Sequence, residues 1–475
     1  MKPMSLSRIA EVVGGELNTE AQGIAESLAG GWSVDSRAVS TGDVFVAIEG
    51  ERVDGHTFVP GAIAAGASAA LVTREVEGYP CIVVRDPVRA LGEMAAWYRR
   101  EVLTATVIGV TGSSGKTTTK DLISDVLEGN VVAAAGSFNT EVGVPLTILS
   151  ADESTRFLVL EMGMRGLGHI RYLVEMAQPD IGVVLNVGTA HVGVMANPGE
   201  IAMAKGELAE GLPAHGFAVL NADDPQVASM AARTSASVVW FGTGAEVDVA
   251  AEDVSIDEAG HPVFNLRVKD QPPVQVSMKL YGEHFVESAL ASAAVGNICG
   301  MSAPRIAEHL SRARAKSPWR MEVHTTTRGV TVISDVYNAN PESMRAALKA
   351  LRSMGARSTG ARSIGNAGRT WAVLGEMREL GDLSVAEHDA IGRLVVRLDI
   401  SRLVCVGPGT KVMHLAASNE GSWGDESVWV PDSDAAIALL DAEVESGDTV
   451  LIKASRAVGL ERIAEHLLDV GRHAS

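Results

Sequence analysis

The segment TGSSGKTTT at 111–119, directly after the apolar run TVIGV at 106–110, constrains this chain more than any other feature. A loop of that composition between a strand and a helix is a phosphate cradle. Gly112 and Gly115 let backbone N–H groups approach phosphate oxygens closely. The helix expected over 116–127 aims its positive N-terminus at the same charge. Lys116 can reach the β- and γ-phosphates, and the Thr117 hydroxyl can ligate Mg²⁺. Thr111, Ser113, Ser114 and Thr118 fill out the nucleotide-binding stretch. The strict GxxxxGK[ST] pattern would put glycine at 110, where this chain has Val110, so the loop is a TGxxGKTT variant. The competing reading is a Gly-Ser turn that happens to precede a lysine. A strand before it and a helix after it weigh against that.

A chain of 475 residues is too long for one ordinary core and suits two or three domains. Its formal net charge of −19 argues against nucleic acid and anionic membrane as partners. An anionic ligand must then be held locally, by helix N-termini, Lys, Arg or a metal. Cys81, Cys299 and Cys405 form neither a CxxC pair nor a disulfide ladder, which points to a reducing compartment. Glu11 and Glu16 fall where a signal peptide needs an apolar core, and no uncharged apolar run reaches ~18 residues. The expectation is a cytoplasmic α/β enzyme with no membrane insertion.

Three α/β domains are expected, over 1–102, 103–318 and 319–475. In the first, Ser5 caps a helix over 6–13, strands fall near 44–48, 69–72 and 81–84, and a helix over 91–101 leads onward. In the second, strands near 106–110, 131–134, 156–161, 181–187, 217–221 and 237–241 have helical stretches between several of them. That alternation implies a parallel sheet covered on both faces. The stretch 246–280 alternates like strands about a Gly-His-Pro turn and reads as an antiparallel extension. In the third, strands fall near 330–335, 371–375, 402–406, 427–430 and 449–453. The Gly- and Ser-rich run 357–369 reads as a flexible loop.

Further chemistry-bearing residues fall at strand ends. Glu161 closes the strand FLVLE, and a carboxylate there lies on the ligand side of a parallel sheet. It can complete a Mg²⁺ site with Thr117, or be a solvated strand-end acid. His191 follows the strand IGVVLNV at the same edge. Lys205, in EIAMAKGELAEGL, reads from its spacing alone as a surface lysine. Asn338 and Asn340 lie in YNANP at 337–341, an Asn-rich turn after a strand of the third domain.

Together these residues resemble the Mur ligase family, the ATP-dependent amide ligases that build the peptidoglycan stem peptide. The resemblance covers essentially the whole chain. It includes VDSRAVSTGDVFVAIEG at 34–50, SFNTEVGVP at 137–145, EMG at 161–163, NVGTAHVG at 186–193 and AMAKGEL at 202–208. It continues through LNADD at 220–224, GEHFVESALA at 282–291, WRMEV at 319–323, SDVYNANPESM at 334–344, LGEMRELG at 374–381 and KASR at 453–456. Within the family, YNANP, LGEMRELG and KASR are similar to the member that joins UDP-N-acetylmuramoyl-tripeptide to D-alanyl-D-alanine. The alternative is the sister ligase that adds the third stem residue. Its diaminopimelate-adding members carry DNPR in the last domain, and DNPR is not in this sequence.

The resemblance implies an N-terminal UDP-binding domain, a central P-loop ATPase-like domain and a C-terminal Rossmann-like domain, in a monomer. It places Ser36 and Arg37 on the UDP-muramoyl substrate, although Asp35 and Arg37 read equally as an internal ion pair. Lys205 changes meaning, because it matches a lysine that CO₂ carbamylates in this family. A lysine of lowered pKa presents a free amine, and its carbamate is an anion that can bind or orient Mg²⁺ where an ammonium would repel it. Glu161, His191 and modified Lys205 would then serve a second Mg²⁺, and with Lys116 they form the implied catalytic set. Asn139, His284, Arg320, Asp335, Asn338 and Asn340 are implied on the ATP side, Arg320 from the linker and Asp335 toward the ribose. Lys453, Ser455 and Arg456 match the signature beside the incoming dipeptide. On its own KASR reads as a solvated basic loop, or as a carboxylate site following an apolar strand.

Three positions depart from the commonest family pattern: Thr140 and Ser288, where many members have Asn, and Phe285, where a smaller or polar residue is usual. A hydroxyl at 288 cannot copy an amide's paired donor and acceptor on an adenine edge. The implied chemistry is an acyl phosphate made from ATP and the tripeptide carboxylate, then attacked by the dipeptide amine.

Overall fold

The structure, a computed structural model, describes residues 1–50, 53–188, 198–358, 368–421 and 426–469. Among these residues the chain builds three large α/β sheets. The first has five strands in the order Glu16–Leu17, Cys81–Val83, Ala69–Val72, Asp43–Val46, Gly31–Ser33. All neighbours are parallel except the first pair. Strands Asp43–Val46 and Ala69–Val72 are buried at every position, as in a sheet covered on both faces. Ser5 caps the helix Leu6–Val12 as expected, its Oγ accepting from Arg8 N at 3.3 Å. The helix expected from 91 starts earlier, at Pro87. Asp86 accepts from the N–H groups of Val88 and Arg89, and proline in the first turn removes only an N–H that has no helical partner.

The central sheet has nine strands. Thr106–Thr111 pairs in parallel with Phe157–Glu161 on one side and with Ile181–Val184 on the other. Beyond Ser237–Gly242, the strands Val249–Ile256, Pro262–Val268 and Val274–Ser277 form the antiparallel extension. A two-residue parallel pairing at Phe241 and Gly242 joins it to the sheet. The helix Phe285–Ile298 is buried along most of its length and packs on the helix Lys116–Val126. This contact demands small residues: a Cβ at Gly296 would come within 2.6 Å of Val126 Cγ1.

The C-terminal sheet runs Glu322–Thr325, Thr331–Asp335, Thr449–Lys453, Thr370–Leu374, Arg402–Val406, Ser427–Val430. It is parallel apart from the first strand, which the sequence reading missed. That strand, EVHT, is half-exposed and short, so it carries no apolar run to mark it. Most of the expected loop at 357–369 lies outside the described residues.

The sheets share cores. One apolar cluster holds Ile108 of the central sheet together with Leu451 of the C-terminal sheet. Another joins Leu71 of the first sheet to Val107 on the opposite face of the central strand. The carboxyl ends of the central and C-terminal strands therefore meet at one cleft, where open parallel sheets bind ligands. Among the described residues, no helix is long and apolar enough to cross a membrane.

Candidate active site

The phosphate loop leaves the central strand between two neighbours whose ends flank it. Register pairs Glu161 with Val110 and Val184 with Thr111. The two glycines serve different needs. Gly115, at the N-terminus of the helix Lys116–Val126, has φ of 79°, which strains any side-chain-bearing residue. At Gly112 the problem is space, because a Cβ would lie 2.9 Å from Leu185 Cβ. Lys116 folds over the loop and donates from Nζ to Gly112 O at 2.8 Å. Burial lowers its pKa, Arg320 lowers it further and Glu161 opposes both. Thr111 stands behind the cleft, where its buried hydroxyl donates to Met162 O at 2.9 Å.

Below the loop, Thr117 Oγ1 donates to Glu161 Oε2 at 2.7 Å and Asn139 Nδ2 donates to Glu161 Oε1 at 2.8 Å. Glu161 is 1% exposed, so it is not a solvated strand-end acid. A buried carboxylate touching a hydroxyl is a set of hard oxygen donors. It suits Mg²⁺, which takes one or two carboxylates and completes its shell with water and substrate phosphate. Among the described residues no three His, Cys, Asp or Glu side chains gather as a metal cage. His191 lies outside the described residues.

Lys205 corrects the reading made from spacing alone. It is 1% exposed, on the helix Pro198–Glu210, whose Ile201, Ala204 and Leu208 are fully buried. Small residues on both sides of this helix hide which face packs on the sheet, so its periodicity misled. Burial first, and the charge of Lys116 second, push the Lys205 amine well below its ordinary pKa. A lowered pKa favours the free amine, which is the form that reacts with CO₂.

The C-terminal sheet supplies the opposite wall. Lys453 ends its strand buried and donates to Asp335 Oδ2 at 2.6 Å and to Asn338 O at 2.9 Å, so KASR does not begin as a solvated loop. Ser455 is buried and binds Ala339 O, while Arg456 stacks on Trp319 with its guanidinium 4.0 Å from the ring centroid. Asn340 caps the helix that starts at Pro341: its Oδ1 accepts from Ser343 N at 2.8 Å, and its Nδ2 reaches across to Ser113 O at 3.4 Å. The Asn338 Oδ1 accepts from Ala339 N. Arg320 stacks on Tyr337 and donates to Ser137 Oγ at 3.0 Å. Its neighbours Trp319 and Met321 have φ of 60° and 51°, a conformation held at some cost on either side of a cleft arginine. His284 is driven to a pKa of about 4 by burial and is neutral at physiological pH.

The two walls enclose about 600 Å³. Ser113, Ser114, Gly115, Lys116, Thr117, Thr118, Asn139, Glu161, His284, Arg320, Asp335, Asn338, Asn340, Lys453, Ser455 and Arg456 all line it. Ser36 and Arg37 do not. Arg37 is exposed and its Nη2 pairs with Asp35 Oδ2 at 2.7 Å, and its hydrogen bonds draw Asp35 down to a pKa of about 2. Ser137, Asn186, Glu287 and Arg378 also line the cleft and were not singled out from sequence. Each sits inside a matched block, and polar type alone did not separate them from their neighbours.

Comparison with known proteins agrees with this architecture. Residues 30–99 match the Mur ligase family catalytic domain, 110–296 the Mur ligase middle domain and 319–456 the Mur ligase glutamate ligase domain. The UDP-N-acetylmuramoyl-tripeptide--D-alanyl-D-alanine ligase of Mycobacterium leprae (strain TN) is 45% identical, over 99% of both chains. A crystal structure of MurF from Acinetobacter baumannii superposes with a TM-score of 0.85 at 29% identity, covering 99% of each chain. MurF ligase from Thermotoga maritima in complex with ADP gives a TM-score of 0.78 at 29% identity, covering 94% of this chain and 98% of that one. With its phosphate loop, buried acid and opposing basic wall arranged as described, and full-length relatives at this identity, the chain belongs to the Mur ligase family.

Proposed function

We propose that the chain is an ATP-dependent amide ligase that joins D-alanyl-D-alanine to UDP-N-acetylmuramoyl-tripeptide, giving the pentapeptide, ADP and phosphate. The observation that carries this reading is the single cleft whose one wall is a phosphate loop and whose other wall is the YNANP turn with Lys453, Ser455 and Arg456. Relatives that carry this activity by name match the chain from end to end. In this reading 1–102 holds the UDP end of the substrate, through the segment of Ser36 and Arg37. Residues 103–318 hold ATP and 319–475 bring the dipeptide.

Each residue's part follows from its surroundings. The N–H groups at the start of the helix Lys116–Val126 and the Lys116 ammonium meet the triphosphate and the charge on the transferring phosphoryl group. Arg320, held on Tyr337 beside Ser137, adds a second cation from the linker. Asp335 faces the ribose, and neutral His284, with Asn139, Asn338 and Asn340, shapes the nucleotide pocket. Ser455 and Arg456 orient the dipeptide carboxylate, and the paired Lys453 fixes the strand end from which they project. Thr117, Glu161 and carbamylated Lys205 would hold Mg²⁺, which neutralises phosphate charge when bound. The two walls exclude water from a reactive acyl phosphate.

The reading is tested by phosphate release from ATP and Mg²⁺ with UDP-muramoyl-tripeptide, with and without D-alanyl-D-alanine, following product mass. Release that requires the dipeptide, with a UDP-muramoyl-pentapeptide mass, is expected. Release with a single amino acid instead would move the chain to the sister ligase, and release with neither would make it an NTPase. Carbon-13 bicarbonate should give a carbamate resonance that Lys205→Met lacks. A cytoplasmic monomer goes with this reading, and cell fractionation and sedimentation test it.

A further inference from the structure

The phosphate loop does not offer all of its backbone donors to the cleft. Asn186, just beyond the strand Ile181–Val184, accepts at Oδ1 from Ser113 N and from Ser114 N, both at 3.0 Å. Its own carbonyl takes Ser113 N as well, at 3.0 Å. On the other side of the amide, Asn186 Nδ2 donates to Glu287 Oε1 at 2.6 Å, and at 3.4 Å it also reaches Ser114 O in the loop. The orientation of this amide is fixed by its partners: two N–H donors face one end and a carboxylate faces the other, so oxygen and nitrogen have one satisfactory assignment. Glu287 comes from the helix Phe285–Ile298, a different element from the loop and from Asn186.

We propose that Asn186 and Glu287 are a positioning pair for the phosphate loop, with Glu287 locking the Asn186 amide so that it retains the Ser113 and Ser114 N–H groups. The donors left for phosphate are then those of Gly115 to Thr118, at the helix N-terminus. Without the lock, the amide is held through its oxygen end and the long contact to Ser114 O, so the loop donors it retains are less firmly fixed. The pair's contacts are to the loop, so it acts through loop geometry. The inference rests on the ATP-dependent reading above. It goes beyond that reading in giving two further cleft residues a positioning role and in saying which loop donors are withheld.

Four variants test it in the full chain: Glu287→Leu, Glu287→Gln, Asn186→Asp, and the double change Asn186→Asp with Glu287→Gln. ADP affinity by calorimetry and KM for ATP and for the dipeptide are measured, with thermal unfolding as the folding control. Glu287→Leu removes the acceptor and should weaken ADP and raise KM for ATP about tenfold, with KM for the dipeptide within about threefold of wild type. Glu287→Gln keeps an acceptor and should stay within about threefold. Asn186→Asp sets two carboxyl groups face to face, and adding Glu287→Gln restores a donor opposite an acceptor at unchanged net charge. The double variant should recover at least about threefold in ADP affinity over Asn186→Asp. Unchanged ADP affinity in Glu287→Leu overturns the proposal. So does a double variant no better than Asn186→Asp, a comparison that stands even if the leucine variant does not fold. Wild type that fails to bind ADP or use ATP would instead overturn the ligase reading.

Discussion

Asp335 and Lys453 face each other in register on adjacent parallel strands, and Lys453 Nζ lies 2.6 Å from Asp335 Oδ2 with both side chains largely buried. The acid read as ribose-facing and the lysine read as dipeptide-facing are thus one ion pair. Removing one partner leaves the other charge buried and unpaired, which costs about 3–5 kcal/mol. Lys453→Met should lower the unfolding midpoint of the C-terminal unit and abolish ligation. Asp335→Asn combined with Lys453→Met should recover part of the lost stability and none of the activity. A Lys453→Met variant that unfolds at the wild-type midpoint would show that the pair does not hold this wall together.

Lys116→Ala should leave the fold intact, because among the described residues the side chain's hydrogen bond is to Gly112 O in its own loop. Turnover should fall by at least about 10²–10³, the scale seen when a preorganised donor to transition-state charge is removed. Steady-state phosphate release and far-ultraviolet dichroism check the two halves of this statement. A near-normal rate would sink the assignment of the loop.

The strands of the central sheet were legible because covered parallel strands are continuous apolar runs. The loop after Thr106–Thr111 was legible because glycine, lysine and threonine in that order have a backbone reason. Lys205 was not legible from physics, since its burial depends on which face of a small-residue helix meets the sheet. Family resemblance singled it out, and the structure shows it buried. Nor was the second use of Asn340 legible: a helix cap and a cleft contact draw on the same side chain, and only the chain's path shows both. Asn186 and Glu287, 101 residues apart, meet through tertiary packing that no local pattern encodes.

Gln178 ends the helix His169–Ala177 in the left-handed region, with φ of 45° and ψ of 65°. Its N–H still closes onto Val174 O at 2.8 Å, so the conformation is that of a C-terminal cap. An exposed glutamine has no side-chain reason to sit there. Gln178→Gly should relieve backbone strain worth up to about 1 kcal/mol after the entropy of glycine is counted. In a chain of this size that is a rise of about 1–2 °C in the unfolding midpoint, at unchanged ligation rate. A lower midpoint by calorimetry would mean the glutamine makes a contact that outweighs the strain.

Glu287 links the phosphate loop to pH. Burial is the first cause of its raised pKa, about 7 against an ordinary 4.5, followed by the charges of Asp224 and Asp223 once the opposing hydrogen bond from Asn186 is counted. Between those two values the folded chain holds a proton that the unfolded chain has released. The group's favourable contribution is therefore complete below pH 4.5 and is lost as pH rises through about 7. The whole effect is at most about 3.5 kcal/mol, since one pKa unit is about 1.4 kcal/mol. Glu287→Gln does not titrate, so its stability relative to wild type should grow from pH 5.5 to pH 7 and level off by about pH 8. Denaturant midpoints of the two proteins across that range measure this directly. A difference that is flat with pH would mean that Glu287 stays ionised throughout, and that its tie to Asn186 offsets the cost of burial.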